Sequence, residues 1–209
     1  MGGDKLWLDV AGRPLLRRAF DALAAAQLFE VVVVACDLRW SERITEAAAA
    51  AGLAAPTLVG GGERRQDSVR AGLAACGEAE LVCVHDAARP LCPPALFGTV
   101  VEAARRHGAA TTVIPVVDSV KEVDSDGRVV RTVERSALVA VQTPQAFSAA
   151  LLRRAHERAL REGWQADDDC ALVERLGAPV VTVPGDPRNL KVTRPADLAV
   201  ALAQLEAAR

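Results

Sequence analysis

Short apolar runs alternate with helix-like segments along most of this 209-residue chain, and this alternation limits the possible folds more than any other feature. The run at residues 31–35 contains only valine and alanine, as expected of a strand buried on both faces. Strands that alternate with helices at this spacing predict an α/β fold with a doubly wound, mostly parallel sheet. The predicted strands are at 31–35, 57–59, 81–84, 110–117 and 180–183, and the predicted helices are at 15–23, 41–51, 67–76, after Pro93, 148–162, 169–176 and from Pro195.

The alternation is interrupted between residues 118 and 141. Polar and apolar residues alternate at 119–123 and 128–133 on either side of an Asp126-Gly127 turn, which predicts a β-hairpin. An isolated hairpin is only marginally stable, so we expect it to project as an arm that leans on a second subunit. The sequence therefore predicts one domain over residues 1–209, with the arm at 118–141 inside it.

Composition excludes several classes of protein. The net charge of −2 and an aromatic content of 3% disfavour binding to nucleic acid. No stretch is long and apolar enough to cross a membrane. The five cysteines are an odd number and form no C-x-x-C pair, which favours a reducing, cytoplasmic location over a disulfide framework or a zinc site.

The sequence HDAARP at residues 85–90 directly follows a predicted strand. In open α/β sheets, ligands bind beyond the carboxyl ends of the strands. A carboxylate there, such as Asp86, can hold a metal ion or a sugar hydroxyl, and Arg89 offers donors that suit a phosphate. The alternative is that Asp86 only ends the strand and pairs with Arg89.

Two further features suit a phosphate ligand. Only three of the 25 basic residues are lysines, namely Lys5, Lys121 and Lys191. In a chain that favours arginine so strongly, a lysine indicates a position that needs a compact, strongly hydrated charge. Lys121 lies in a charged segment and is expected to be a surface residue. For Lys191, a solvated surface position is the alternative to a role in phosphate binding. The glycine-rich turn at 61–69 offers free backbone amides to a base or a phosphate.

Other polar residues are expected to be structural. The three aspartates at 167–169 precede a predicted helix, and we expect them to cap it rather than to act in catalysis. His85 is expected to be structural as well. His107 and His156 lie in predicted helices, and no sequence feature indicates a role for either.

Four segments in this order resemble the 2-C-methyl-D-erythritol 4-phosphate cytidylyltransferase family: GGERRQDSV at 61–69, HDAARP at 85–90, QTPQAF at 142–147 and NLKVTRPADL at 189–198. The resemblance covers nearly the whole chain, including residues 4–16 and 167–170. It implies a nucleotidyltransferase in which a sugar-alcohol phosphate attacks the α-phosphorus of CTP. The products would be a CDP-sugar alcohol and pyrophosphate, in the non-mevalonate route to isoprenoids.

The resemblance also implies roles for residues on the nucleotide side of the site. Lys5 and Lys191 would be the cations of the transition state, and Lys191 would also hold the incoming phosphate. Asp86 would lie near the ribose and bind Mg²⁺, the implied cofactor. The residues that the resemblance places around the nucleotide are Gly62, Glu63, Ser68, Asp86 and Ala87.

On the acceptor side, the resemblance implies that Arg89 and Ser119 line the pocket together with Asp86. The hairpin would be a dimerisation arm, and its Arg135, together with Thr143, would grip the acceptor phosphate of the neighbouring subunit's site. Arg135 would thereby take part in catalysis. The alternative is that Arg135 pairs with an acidic neighbour on the hairpin surface, which would contribute little energy.

This sequence departs from the family at its start. The family begins with a buried strand and an Ala-Ala-Gly-x-Gly-x-Arg loop, whereas only residues 1–3 resemble the end of that loop. We therefore expect an α/β fold without its first strand and a 209-residue form with poor activity. Glu63 and Ser119 depart mildly, since Asp and Thr are common at those positions.

Three rival functions remain open. A ribitol 5-phosphate cytidylyltransferase would share a similar HDA-x-RP run. A non-catalytic nucleotide-binding or dimerisation protein would fit the absent loop. A dinucleotide-dependent oxidoreductase is disfavoured because no G-x-G-x-x-G follows a first strand.

Overall fold

The computed structural model describes residues 3–207 of the chain, so Met1 and Gly2, which resemble the end of the family's loop, lie outside the described residues. The strands are β1 (Val33–Cys36), β2 (Thr57–Gly60), β3 (Leu81–Val84), β4 (Ala109–Pro115), β5 (Val120–Val123), β6 (Val129–Val133), β7 (Val139–Ser148) and β8 (Val181–Pro184). The α-helices are α1 (Leu15–Ala26), α2 (Ser41–Ala50), α3 (Arg65–Ala75), α4 (Pro94–His107), α5 (Ala149–Glu162), α6 (Asp169–Arg175) and α7 (Pro195–Ala207). Within residues 3–207, no helix is both long and apolar enough to cross a membrane.

The main sheet has four strands in the order β3-β7-β4-β8. β7 runs antiparallel to both β3 and β4, while β4 and β8 are parallel. β3, β4 and β8 therefore share one direction, and β7 alone is reversed. The predicted α/β class with a mostly parallel sheet is confirmed.

The core of the molecule lies on both faces of β7. Ala146 packs with Val100 and Ala104 of α4, whereas the next residue, Phe147, packs with Leu152 of α5 and with residues of α6. Successive residues of a strand point to opposite faces, so this pair gives the sheet a layer of helices on each side. The arrangement is that of a doubly wound fold.

β7 was absent from the predicted strands. Residues 142–145 read Gln-Thr-Pro-Gln, and a proline, which removes a ladder donor, argues against a central strand. Tertiary contacts compensate, because the buried side chain of Gln145 donates to Thr111 of β4 at 3.2 Å and to Asp168 at 3.0 Å. The strand is stabilised by neighbours that are distant in sequence.

β1 and β2 form a separate, parallel two-stranded sheet, with Val33 opposite Thr57. The expectation of a strand over 31–35 buried on both faces was wrong in bounds and in burial. β1 begins at Val33, and Val31 is 60% exposed. The reason is that only one edge of β1 has a neighbouring strand among the described residues.

The predicted hairpin is formed by β5 and β6, which pair antiparallel with Val120 opposite Val133. Gly127 has a φ of +79° in the turn, a conformation that glycine adopts without strain. The carboxylate of Asp124 accepts hydrogen bonds from the amides of Asp126 and Arg128 and closes the turn. Among residues 3–207, the hairpin has no strand partner in the main sheet.

Candidate active site

Asp86 is the centre of the candidate site. It follows β3 by two residues, and its side chain is 15% exposed. Its Oδ1 accepts a hydrogen bond from Nε of Arg65 at 3.2 Å, and its Oδ2 lies 2.8 Å from Nζ of Lys191. Nε of Arg89 lies 3.9 Å from the same Oδ2. Three cations therefore surround one carboxylate at the end of a strand.

These cations set the ionisation of Asp86. Burial alone would raise the pKa of the carboxyl group, but Arg65 and Lys191 outweigh it and hold the pKa at about 2. Burial also disfavours the charged form of Arg65, yet its carboxylate partners raise the pKa of its guanidinium. Asp86 and Arg65 are thus both charged at neutral pH.

Lys191 reaches Asp86 because its loop is tied to two neighbouring segments. The amide of Val192 donates to the carbonyl of Ala88 at 2.8 Å, and Arg89 donates to the carbonyl of Asn189 at 2.7 Å. The fully buried side chain of Asn189 donates to the carbonyl of Thr143 at 2.8 Å. The predicted segments 85–90, 142–147 and 189–198 therefore meet in one network.

Lys5 lies on the 3₁₀ turn Gly3–Trp7 at the beginning of the described chain. Its Nζ donates to the carbonyl oxygen of Val192 at 3.4 Å. Val192 is the residue after Lys191, so the tertiary structure brings Lys5 to the segment that carries Lys191. The catalytic roles of both lysines stay predictions.

A buried charge network behind Asp86 was missed by the sequence analysis. Nη1 of Arg65 donates to Oδ2 of Asp169 at 2.7 Å, and Oδ1 of Asp169 lies 3.0 Å from Nε2 of His156. Asp169 is 1% exposed. The expected helix cap is confirmed for Asp168, which accepts from an amide of α6. Asp169 instead forms an ion pair with Arg65. The one sequence signal for this network was His156, which interrupts an otherwise apolar helix face.

The glycine-rich turn joins β2 to α3. The amide of Gly62 donates to Oγ of Ser68 at 3.0 Å, so the loop closes on its own helix. A Cβ atom on Gly62 would lie 2.4 Å from Cβ of Asp67, which leaves no room for any other residue. Glu63 is exposed beside this turn, and Ala87 packs in the apolar cluster that includes Cys36.

Within one chain, the structure does not bring all of the residues predicted for the acceptor side close to Asp86. Ser119 and Arg135 are exposed near the hairpin, and Arg135 donates to the carbonyl of Val117. Thr143 is buried, and its hydroxyl accepts from the amide of Asp86 at 3.0 Å in its own chain. Nothing in this geometry directs Thr143 to a neighbouring subunit, and that role stays a prediction.

The charges of the cluster favour an anionic ligand. Four cations (Lys5, Arg65, Arg89 and Lys191) stand against the carboxylates of Asp86 and Asp169. Nη2 of Arg65 and Nε of Arg89 are buried donors with no hydrogen-bond partner among the described residues. Two donors without a hydrogen bond and an excess of positive charge suit phosphate oxygens.

Comparison with known proteins agrees with this chemistry. The 2-C-methyl-D-erythritol 4-phosphate cytidylyltransferase of Thermus thermophilus shares the fold with a TM-score of 0.80 and 38% identity, over 98% of this chain and 95% of that chain. The fold is therefore that of a nucleotidyltransferase.

Relatives at the sequence level are more specific. The 2-C-methyl-D-erythritol 4-phosphate cytidylyltransferase of Nocardia farcinica is 47% identical to this chain. The match covers 94% of this chain and 84% of that relative. The bifunctional enzyme IspD/IspF of Anaeromyxobacter is 45% identical over 97% of this chain, which spans about half (53%) of that relative. Residues 1–207 match the family described as IspD, 2-C-methyl-D-erythritol 4-phosphate cytidylyltransferase. The chain belongs to this family.

Proposed function

We propose that this chain transfers a cytidylyl group from CTP to 2-C-methyl-D-erythritol 4-phosphate in non-mevalonate isoprenoid biosynthesis. An oxygen of the acceptor phosphate attacks the α-phosphorus of CTP and forms a new P–O bond. The bond from the α-phosphorus to the bridging oxygen breaks, and pyrophosphate leaves. The observation that carries the proposal is the cluster of Lys191, Arg65 and Arg89 around Asp86 in a member of this family.

The ionisation of the site suits a phosphate as the nucleophile. A phosphate oxygen is already anionic, so its attack needs no general base. Asp86, with a pKa of about 2, is a poor base, and burial lowers the pKa of His85 to about 4. Lys5 and Lys191 neutralise the charge that develops on the phosphate oxygens, which is the main requirement of such a transfer.

Mg²⁺ is the proposed cofactor, with Asp86 as its protein ligand. Among residues 3–207, no group of three or more metal-ligating side chains converges, so the triphosphate would supply most of the oxygen ligands. Mg²⁺ commonly binds in this way, through one or two carboxylates and substrate phosphates. The ionised carboxylate fits this role once Lys191 turns from Oδ2 to a phosphate. When bound there, Mg²⁺ would supply neutralisation of phosphate charge.

The nucleotide and the acceptor would occupy opposite sides of Asp86. Gly62, Glu63 and Ser68 would contact the cytosine, because the glycine-rich turn permits a close backbone approach. Ala87 would leave room for the ribose. On the other side, Arg89 and Ser119 would face the acceptor.

A homodimer through the hairpin would complete the acceptor side. Val123, Val129 and Val130 of the hairpin are 54%, 62% and 59% exposed. Large apolar side chains exposed on an arm are typical of a surface that another chain covers. Arg135, beside this arm, would then reach the neighbouring site.

A reducing cytoplasm as the location stays a prediction, and all five cysteines are free thiols.

The decisive experiment measures pyrophosphate release by the purified chain with CTP and Mg²⁺ and one of two acceptors. Because we expect the 209-residue form to have poor activity, we expect slow turnover with 2-C-methyl-D-erythritol 4-phosphate and much slower turnover with ribitol 5-phosphate. A preference for ribitol 5-phosphate would overturn the proposed acceptor. Calorimetric binding of CTP without turnover on either acceptor would identify a non-catalytic nucleotide-binding protein instead.

A further inference from the structure

His156 is a buried polar side chain that takes no part in the reaction described above. It lies on α5 and is 2% exposed. Its Nε2 lies 3.0 Å from Oδ1 of Asp169, which is 1% exposed. Buried polar groups are costly to the folded state unless each makes a hydrogen bond, so burial favours a conformation in which these two side chains meet.

The surroundings of the imidazole indicate which of its nitrogens carries the proton. Nε2 faces a carboxylate oxygen of Asp169, and an ionised carboxylate only accepts hydrogen bonds. Nδ1 is buried and has no hydrogen-bond partner among residues 3–207. A proton on Nδ1 would be a buried donor without an acceptor, whereas a proton on Nε2 has one. The geometry therefore fits the tautomer in which Nε2 of His156 donates to Asp169.

The other oxygen of Asp169 continues this chain of contacts toward the candidate site. Its Oδ2 accepts a hydrogen bond from Nη1 of Arg65 at 2.7 Å. Nε of the same guanidinium donates to Oδ1 of Asp86 at 3.2 Å. A guanidinium is planar and its donors have fixed directions, so a carboxylate that holds Nη1 also sets the direction of Nε. His156 is therefore connected to Asp86 through Asp169 and Arg65, without touching it.

The orientation of the Asp169 carboxylate depends on His156. Within residues 3–207, His156 is the only hydrogen-bond donor to Oδ1 of Asp169. A carboxylate that is held at one oxygen alone can rotate, because its terminal torsion has broad minima. The oxygen that it presents to Arg65 would then change direction. A donor at Oδ1 removes this freedom.

Gln66, the residue next to Arg65, attaches the start of α3 to the connection between α5 and α6. Its side chain is 8% exposed, donates to the carbonyl of Trp164 at 3.2 Å and accepts from the amide of Ala166 at 3.3 Å. Gln66 thus holds the backbone of this helix start, whereas Asp169 holds the side chain of Arg65. Loss of His156 should therefore leave the helix in place and affect the guanidinium.

We propose that His156 is a positioning residue, which fixes the guanidinium of Arg65 against Asp86 through Asp169. The cation cluster is then in one arrangement before the substrates bind, so less reorganisation is needed when charge develops on the phosphate oxygens. His156 touches no substrate and transfers no proton in this role. Its effect on the reaction rate rests on the proposed function, whereas its effect on Arg65 does not.

The first measurement follows Arg65 directly and needs no turnover. In proton–nitrogen NMR spectra of the purified chain, the Nε–H signal of Arg65 is identified by its loss in Arg65→Lys. We expect His156→Leu to speed the hydrogen exchange of this group roughly tenfold, because the guanidinium opens more often. His156→Gln places an amide donor near the position of Nε2 and should keep the wild-type rate. Equal exchange in the wild type and His156→Leu, or equal acceleration in both variants, would overturn the proposal.

The second measurement is the steady-state rate of pyrophosphate release. We expect His156→Leu to lower kcat roughly 10- to 100-fold and to change the KM for CTP by less than about threefold, because a misplaced cation weakens transition-state contacts rather than contacts to the base. His156→Gln should restore most of kcat. His107→Leu, which replaces an exposed histidine of α4, is the matched control and should keep the wild-type kcat.

The comparison of rates uses variants shown to be folded by circular dichroism. An unchanged kcat in folded His156→Leu would overturn the role in the reaction, even if the exchange of Arg65 were faster. Absence of turnover in the wild type would instead refute the proposed function, and the exchange measurement would still decide whether His156 positions Arg65.

A double variant tests the route through Asp169. Asp169→Asn keeps the shape of the side chain but removes the charge that pairs with Arg65. In this background, His156→Leu should lower kcat by less than about twofold further, because residues that act through one contact are not additive. An undiminished further loss would show a route that bypasses Asp169 and would overturn the proposal.

Discussion

Nζ of Lys191 lies 2.8 Å from Oδ2 of Asp86, although 105 positions separate the two residues in the sequence. The contact links the loop before α7 to the end of β3. In the proposed reaction, Lys191 exchanges this carboxylate for a phosphate oxygen.

Replacement of Lys191 by methionine should lower kcat/KM for pyrophosphate release by roughly 10²- to 10³-fold, because a preorganised cation at the reacting phosphate is removed. Steady-state kinetics with CTP and the acceptor measures the change. Lys121→Met is the matched control, since Lys121 bonds to Thr132 on the exposed hairpin. A loss of less than tenfold in Lys191→Met would contradict the proposed role.

Arg65→Met should destabilise the protein by roughly 3 kcal/mol, because the buried Asp169 loses its cationic partner. It should also raise the pKa of Asp86 from about 2, since Arg65 is one of the two groups that hold it low. Urea unfolding measures the stability. Arg64→Met removes only a solvent-screened pair with Asp67 and should cost much less stability than Arg65→Met. Equal losses in the two variants would refute the importance of the buried network.

Gly62→Ala should raise the KM for CTP by roughly tenfold, since the added Cβ would displace the turn from Asp67 and from a bound base. Gly60→Ala is the control, because an added Cβ at that position meets nothing within 4 Å. Initial rates at varied CTP concentration compare the two. If Gly62→Ala binds CTP as well as Gly60→Ala does, the turn is not part of the nucleotide site.

Acid should destabilise the protein through His85. Burial lowers the pKa of its imidazole from 6.5 to about 4, so the unfolded state binds a proton more readily than the folded state does. The stabilisation is complete above pH 6.5 and is lost as the pH falls from 6.5 to 4, by roughly 2 to 3 kcal/mol. Urea unfolding at about pH 7 and at about pH 4.5 measures this loss of stability, because most of the titration lies between these two pH values.

The decrease should be much smaller in His85→Asn than in the wild type. His107→Asn changes an exposed histidine and should keep the full decrease. An unchanged pH dependence in His85→Asn would show that other groups cause the acid destabilisation.

Val130→Asp should convert the proposed dimer to a monomer, because a charge on the exposed hairpin valine would be buried at the interface without a partner. Sedimentation velocity measures the oligomeric state. Val200→Asp, on the exposed side of α7, serves as the control and should leave the dimer intact. A wild-type monomer at micromolar concentration would refute the dimer itself.

The sequence by itself determined the elements whose signals are local. Pro14 and Pro94 at helix starts, valine runs in β3 and β8, and the Asp-Gly turn of the hairpin act within a few residues, so their positions could be predicted. The motif order also determined the family, since HDAARP, QTPQ and NLKVT each keep a recognisable composition. These features depend on nearest neighbours along the chain.

Only the tertiary structure decided the strand β7 and the Arg65–Asp169–His156 network. Pro144 argues against a central strand, and partners far away in sequence hold its neighbours Gln142 and Gln145 in β7. Arg65 and Asp169 are 104 positions apart, so no local pattern could pair them. Burial and charge pairing depend on which segments become neighbours in space, and packing alone sets that.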